Sequence, residues 1–568
     1  MIVRTPLDVV SAGVVAFNDR YAWEGTDYAP LRRQAPLRIY ARDGDVTYWA
    51  ADLDLHPPRI RYRFGLETDA GTRWFGWDGL RDNPRPRGSF EFAYLAEGDR
   101  PDLPAWTQGA LFYQIFPDRY ARSSRAPDAR GLTSWDAPPK TNSVFGGDLD
   151  GIVEHLDHIA ALGAEALYLT PIFDAPSNHR YDTADYFKVD SRLGGDNALR
   201  RLVEALHGRG MRLVLDGVFN HAGRTWPPFV DVLERGDDSE YAGWFYFQEG
   251  RYETWATDVA SLPKLRTSEP ALRDLVCRVG RYWIEEFGID GWRLDVANEV
   301  DHALWRRFRD VVRAARKDAF LVGEIWEGAM PWLRGDQFDS TMNYPLRRAL
   351  LRYAAFARGR STDADGPLDG EGMLDALDRL RAAYPEPLHH HMYNLLGSHD
   401  EPRPLSVLGG DRRGLVVAAA LLYALPGIVS IYYGDEVGME GGKDPMNRGA
   451  MVWDRSRQDA RLHSMFRRLG RLRTDLPALR DGRYERLESR GSLAAFARRS
   501  SDEQIVVVAN SGKSVESVSQ REVDDWLGHK SAGQVVLAYE GASVARRASK
   551  ISIQAQSVAL FSTTPVAE

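Results

Sequence analysis

Apolar and polar residues alternate along the first hundred positions, in PLRIYARDGD (36–45), YWAADLDL (48–55) and RIRYRFGLE (59–67), with Gly, Pro and Asp between the runs. A period of two puts successive side chains on opposite faces of a strand. Residues 1–105 are therefore read as a small antiparallel β domain, a sandwich. The breaker-rich stretch GDRPDLPAW (98–106) serves as a linker. From Ala110 the texture changes. Eight short apolar runs, LFYQIFP, ALYLTPIF, RLVLDGVF, GWRLDV, FLVGEIW, STMNY, HMYNLLGS and IVSIYYGDE, are separated by amphipathic runs of helical period, such as NALRRLVEALHGRG and HALWRRFRDVVRAARK. Strand–helix alternation repeated eight times predicts an α/β fold, a (β/α)8 TIM barrel over residues 106–480. The connection after the third strand, about 221–266, is too long for a simple loop and carries its own aromatics, so it predicts an inserted subdomain. Period two returns in LAAFARRS, QIVVVAN and KISIQAQSVALF, which predicts a C-terminal β-sandwich domain over 481–568.

Composition narrows the class without naming a function. The 568 residues are 43% hydrophobic and 27% charged, with a net charge of −8. With no Lys/Arg run, zinc spacing or Gly-rich phosphate loop, nucleic acid is not an expected partner. The opening MIVRTPLDVV has no basic stretch followed by a long apolar run, so no signal peptide is expected. No window approaches a membrane span. Cys277 is the single cysteine, which forbids an intramolecular disulfide and favours the cytoplasm. It sits in the helical pattern LRDLVCRVGRYWIEEF as a small buried residue rather than a reactive one. The 16 Trp, 24 Tyr and 22 Phe fill a large core, and flat rings also suit the C–H faces of sugars.

Barrel enzymes carry their chemistry at the C-terminal ends of the strands. Here those ends read Asp216-Gly-Val-Phe-Asn220-His221, Arg293-Leu-Asp295, Glu324-Ile-Trp326 and Ser398-His399-Asp400-Glu401-Pro-Arg403. Any one acid could be a structural carboxylate satisfied by a neighbouring Arg. Acids at the same end of four strands converge on one mouth.

The motifs DGVFNH, GWRLDVANE, GEIW and GSHDEPR resemble the four conserved regions of the α-amylase family, and SNHRYDTADY, LPKL and YYGDEVGMEGG extend the match. The segment from GEIW to PLRRAL is most similar to the neopullulanase, cyclomaltodextrinase and maltogenic amylase group. This resemblance implies a retaining glycosidase acting on α-1,4 and also α-1,6 glucosidic bonds of cyclic or short maltooligosaccharides, with transglycosylation as a side reaction. It makes Asp295 the nucleophile, Glu324 the general acid and base, and Asp400 the group that binds sugar hydroxyls. Arg293 supports the nucleophile, His221 and His399 hold hydroxyls, Tyr181 stacks under the same glucose, and Asp216 supports the site floor. On the outer positions, Trp326 and Glu299 line the acceptor side while Asp444 and Arg448 border the donor side, ordinary surface packing being the competing reading. An α-glucosidase or glucan-remodelling transferase, or an inactive carbohydrate-binding scaffold, are the alternative functions.

Three further expectations follow. Relatives hold calcium in an Asn/Asp-rich loop after the first barrel strand, but DRYARSSRAPDARG places Arg and Ser there. Hard cations need six or more oxygens, so that site is read as degraded; no cofactor is required, and calcium is kept as an alternative. The run His389-His390-His391 has a metal-site composition but is placed at a strand start, where alternate side chains diverge. The resemblance also implies a homodimer through the N-terminal domain, whose Trp23, Tyr28, Tyr40, Trp49, Trp74, Phe75 and Trp77 divide between core and surface.

Overall fold

The computed structural model of the chain describes residues 1–6, 9–93, 95–96, 101–126, 131–248, 250–256, 259–360, 365–528, 533–537, 546–547 and 550–564. Parts of the linker (97–100), of the loop after the first barrel strand (127–130), of the inserted subdomain (249 and 257–258) and of the C-terminal region lie outside the described residues. The chain forms two compact units, Met1–Asp102 with Leu374–Glu386, and Leu103–Met373 with Pro387–Glu568.

In the first unit, strands Ile2–Pro6, Val46–Ala50 and Arg38–Asp43 make a three-stranded antiparallel sheet. A six-stranded sheet is built around Ile60–Thr68 and Ala12–Asn18. The alternating apolar positions meet in one core that includes Val15, Phe17, Trp49, Ile60, Phe64 and Leu66. Tyr40 and Trp49 are buried, Tyr28, Trp74 and Phe75 are half-buried, and Trp23 and Trp77 stand exposed. The segment Leu374–Glu386 belongs to this unit, where the Arg42 backbone N–H donates to Asp378 at 3.1 Å.

The second unit holds the eight parallel strands β1 (Leu111–Ile115), β2 (Ala166–Leu169), β3 (Arg212–Gly217), β4 (Gly291–Leu294), β5 (Phe320–Gly323), β6 (Ser340–Thr341), β7 (Tyr393–Leu395) and β8 (Ile428–Tyr432). They pair in barrel order, and a parallel bridge between Met342 and Tyr393 joins β6 to β7 and closes the ring. Inward-pointing Phe112, Tyr168, Val214, Phe320, Val322, Met342 and Tyr393 fill the interior. With a side-chain period of two, the next inward position on each strand lies one layer nearer the C-terminal mouth. On β1, β3, β4 and the end of β5 that position is polar: Gln114, Asp216, Arg293 and Glu324.

Between β3 and helix Pro270–Phe287, the inserted subdomain carries helix Pro227–Arg235 and a short hairpin, Phe247–Gln248 with Arg251–Tyr252. Bridges His221–Lys264 and Phe245–Leu265 tie its base to the end of β3. After the barrel, a five-stranded and a three-stranded sheet pack around Ala495, Val506, Val508, Ile551 and Phe561. Cys277 is buried in helix Pro270–Phe287, and burial pushes its thiol up to about 11.

The histidine run departs from its expected placement. His389 ends a short helix, Glu386–His389, and the strand begins only at Tyr393. His391 Nδ1 sits 2.7 Å from Thr107 Oγ1, and His390 Nδ1 lies 3.1 Å from the Arg480 carbonyl. Among the described residues no group of three or more His, Cys, Asp or Glu side chains is arranged to hold a metal.

Candidate active site

One guanidinium organises the mouth of the barrel. In the register of β3 and β4, Asp216 lies directly opposite Arg293. Arg293 Nη1 therefore reaches both Asp216 oxygens, at 2.9 and 3.0 Å, and donates to Asp295 Oδ1 at 2.7 Å. Its Nη2 forms an ion pair with Glu324 Oε2 at 3.1 Å and lies 3.8 Å from Asp400 Oδ2. Arg293 is 1% exposed. A planar five-donor fork suits this convergence, because a point charge could not address several carboxylates in fixed directions. Four acids that the chain separates by up to 184 positions are thus gathered on one side chain.

Glu324 is held at both oxygens. Trp326 Nε1 donates to Oε1 at 3.1 Å and the Val296 backbone N–H donates to Oε2 at 2.9 Å. Val296 has φ of 43°, a left-handed conformation that is costly for a β-branched residue. The strain turns the N–H after Asp295 toward the second carboxyl.

Asp216 also accepts from Tyr168 at 2.6 Å and from Tyr181 at 3.0 Å. The Tyr181 hydroxyl meets His399 Nε2, and the two rings lie 5.6 Å apart at 5°. Gln114 Nε2, at the end of β1, lies 2.7 Å from the other His399 nitrogen. Asp400 Oδ2 is 3.1 Å from His399 Nε2, and Arg448 donates to Asp400 Oδ1 at 3.4 Å and to the His399 carbonyl at 2.8 Å. Asn447 fixes the same loop through the His399 and Glu401 carbonyls, at 2.7 and 3.0 Å.

Burial raises Asp216 to about 6 and lifts Asp295 and Asp400 above the usual carboxylate range, with Arg293 opposing the rise in all three. The histidines move the other way. Burial lowers His221 to about 3, reinforced by Lys264, and places His399 well below 6.5, reinforced by Arg293. Both rings are neutral at physiological pH, able to donate from one nitrogen and accept at the other.

The structure brings Tyr181, Arg293, Asp295, Glu324, Trp326, His399, Asp400 and Arg448 into one connected network. His221 is buried at the foot of the insertion, its ring 5.8 Å from Trp255. Its Nε2 has no hydrogen-bond partner among the described residues. Glu299 and Asp444 stand at the edges, Glu299 paired with Lys264 at 2.5 Å and Asp444 with Arg448 at 3.3 Å. Sequence reasoning missed Gln114, Tyr168, Tyr344, Asn447 and Lys264. Gln114 and Tyr168 had a usable signal, since both are inward positions near the C-terminal ends of their strands. Lys264 lies in the LPKL motif, which assigns its side chain no role, and nothing local marks Tyr344 or Asn447.

Among the described residues of the loop after β1 and the helix start that follows it, the carboxylates of Asp118 and Asp148 accept from protein donors. Asp118 accepts from Arg119 Nε at 2.8 Å and from the N–H groups of Phe145 and Gly146 at 3.0 and 2.9 Å. Asp148 caps the next helix, accepting from Gly151 N–H at 2.6 Å and from Ser123 at 2.9 Å. The Arg119 guanidinium beside Asp118 disfavours a cation at that carboxylate.

A closed barrel with four carboxylates around a buried arginine at its C-terminal mouth defines a glycosidase-type site. The chain belongs to the α-amylase family of glycoside hydrolases: residues 114–477 match "Alpha amylase, catalytic domain" and residues 3–96 match "Alpha amylase, N-terminal ig-like domain". Among its relatives, a cyclomaltodextrinase from Bacillus sp is 39% identical over 526 residues, spanning 90% of this chain and 91% of that protein. The intracellular maltogenic amylase of Bacillus subtilis (strain 168) is 36% identical over 523 residues, 89% of this chain and 87% of that protein. A solved cyclomaltodextrinase structure matches with a TM-score of 0.86 and 35% identity, covering 99% of this chain and 96% of that one.

Proposed function

We propose that the protein is a retaining α-glucan hydrolase that opens cyclic maltooligosaccharides and shortens small linear ones, cutting α-1,4 and also α-1,6 glucosidic bonds. The observation that carries this reading is the single guanidinium of Arg293 shared by Asp216, Asp295 and Glu324.

In the proposed reaction Asp295 attacks the anomeric carbon while Glu324 gives its proton to the departing glycosidic oxygen. The bond to the leaving sugar breaks as an ester to Asp295 forms. Glu324, now ionised, takes a proton from a water that attacks the same carbon, and Asp295 leaves as a carboxylate. Asp400 and the neutral His221 and His399 bind the hydroxyls of that glucose, and the unpartnered Nε2 of His221 supplies one free hydrogen-bonding position. Tyr181 lies beneath the ring. Trp326 and Glu299 line the acceptor side, where a second sugar replacing water would give transglycosylation. Asp444 and Arg448 border the donor side.

No step calls for a metal or cofactor, and the committed oxygens of Asp118 and Asp148 support a calcium-independent enzyme. We further propose a homodimer through the N-terminal unit, supported by its exposed Tyr21, Trp23 and Trp77. A cytoplasmic location is supported by the single cysteine and by the intracellular relative.

The test of substrate class is a product profile on cyclodextrins, branched cyclic tetrasaccharides, starch and pullulan. Cyclic substrates should show the highest kcat/KM. Rapid attack on starch with no opening of cyclodextrins would overturn the proposal.

A further inference from the structure

Two contacts of the Trp326 indole meet at Glu324. The indole lies on the phenol ring of Tyr344 with centroids 3.9 Å apart and planes 4° apart, while Nε1 donates to Glu324 Oε1 at 3.1 Å. Tyr344 is 1% exposed, whereas Trp326 is 37% exposed. One face of the indole is thus seated on a ring that the core immobilises, and the rest is open to the cleft. The χ2 torsion of a tryptophan is soft when nothing packs against the ring. A stacked partner fixes the ring plane, and with it the direction of the N–H.

That direction matters because the two oxygens of Glu324 are not equivalent. Oε2 is engaged by the Val296 N–H and by Arg293. A proton is least compatible with the oxygen that already faces a guanidinium and a backbone donor. The transferable proton therefore belongs on Oε1, which can still accept one hydrogen bond while its O–H points at the substrate.

We propose that Tyr344 and Trp326 are positioning residues for proton transfer: Tyr344 sets the plane of the indole, and the indole N–H holds Glu324 Oε1 in line with the departing oxygen. This rests on Glu324 being the general acid. It assigns Trp326 a role beyond contact with the acceptor sugar, and gives Tyr344 a role although its ring is buried.

Aryl α-maltosides of graded leaving-group acidity, from 2,4-dinitrophenyl to phenyl, separate acid catalysis from binding, because the aglycones are all single rings. Good leaving groups do not need protonation. Glu324→Gln serves as the control and should show a steep dependence of kcat/KM on leaving-group acidity. Trp326→Phe keeps an aromatic ring and loses the N–H. Its loss in kcat/KM, which reports the glycosylation step alone, should be roughly ten- to a hundredfold greater on the phenyl compound than on the dinitrophenyl compound, as expected for one hydrogen bond to a charged group. Tyr344→Leu should steepen the dependence in the same way, and Tyr344→Phe, which keeps the stack, should restore the wild-type slope. If Glu324→Gln steepens the plot while Trp326→Phe and Tyr344→Leu only shift the line in parallel, the two rings serve binding alone and the proposal fails. If Glu324→Gln keeps the wild-type slope, the assignment of the acid itself fails. Should Tyr344→Leu not fold, Trp326→Phe decides the matter, since it leaves the buried ring in place.

Discussion

Arg293 and Asp216 face each other in the register of neighbouring parallel strands, and their side chains meet at 2.9 and 3.0 Å beneath the nucleophile position. Because the same nitrogen also reaches Asp295 at 2.7 Å, the pair sets where that carboxylate sits and holds a positive charge beside it. Burial lifts Asp295, and the Arg293 guanidinium opposes the lift most strongly.

Arg293→Lys keeps the charge but cannot address Asp216, Asp295 and Glu324 together. It is expected to lower kcat on maltodextrins by on the order of a hundredfold or more, corresponding to the loss of two hydrogen bonds between charged groups. Steady-state kinetics with a parallel thermal melt check this. Near wild-type turnover would show that charge alone suffices.

The barrel and its mouth were legible in the chain because eight apolar runs alternate with helical periods, and because acids end the third, fourth, fifth and seventh runs. Asp216, Arg293, Asp295, Glu324 and Asp400 come from such strand ends, where local order predicts direction. The Tyr344 contact was not legible. It depends on a ring 18 residues after Trp326 returning beneath it through tertiary packing. The stray Leu374–Glu386 segment, compact with the first unit, escaped for the same reason: a helical pattern names a helix but not its neighbour. The histidine run was misplaced because a short helix precedes the seventh strand, and a four-residue helix leaves almost no periodic signal.

Two buried histidines should work against the fold in mild acid. His221 and His399 are neutral in the fold, whereas unfolded histidines take up protons near pH ~6.5. Below that pH the unfolded state binds more protons than the fold. The contribution is complete above pH ~6.5 and is lost as pH falls toward the lowered folded values, at about 1.4 kcal/mol per unit for each proton. Asp216, raised to about 6, acts in the opposite sense between pH ~4 and 6, and the raised Asp295 and Asp400 act in the same direction as Asp216. The histidine part is isolated with His221→Gln: the Tm advantage of wild type over the variant should shrink from pH 7 to pH 5. An advantage that stays constant would mean that His221 binds protons equally in both states.

Chelation should have little effect. With Asp118 and Asp148 committed to protein donors, EDTA is expected to leave activity and Tm nearly unchanged. A Tm that drops with chelator and returns with Ca²⁺ would reveal a bound ion that stabilises the fold.

The intact protein should be a dimer at micromolar concentration, with replacement of the exposed Trp23 and Trp77 by Ala favouring the monomer. Multi-angle light scattering reads this directly. A monomeric mass for the wild-type chain would remove the dimer proposal.

Stereochemistry tests the central claim most directly. Attack by Asp295 followed by attack of water inverts the anomeric carbon twice. Proton NMR during the first turnovers of a cyclodextrin, before mutarotation, should therefore show the newly freed reducing end as the α-anomer. A β-anomer appearing first would contradict a covalent glycosyl-enzyme on Asp295 and require a single displacement by water.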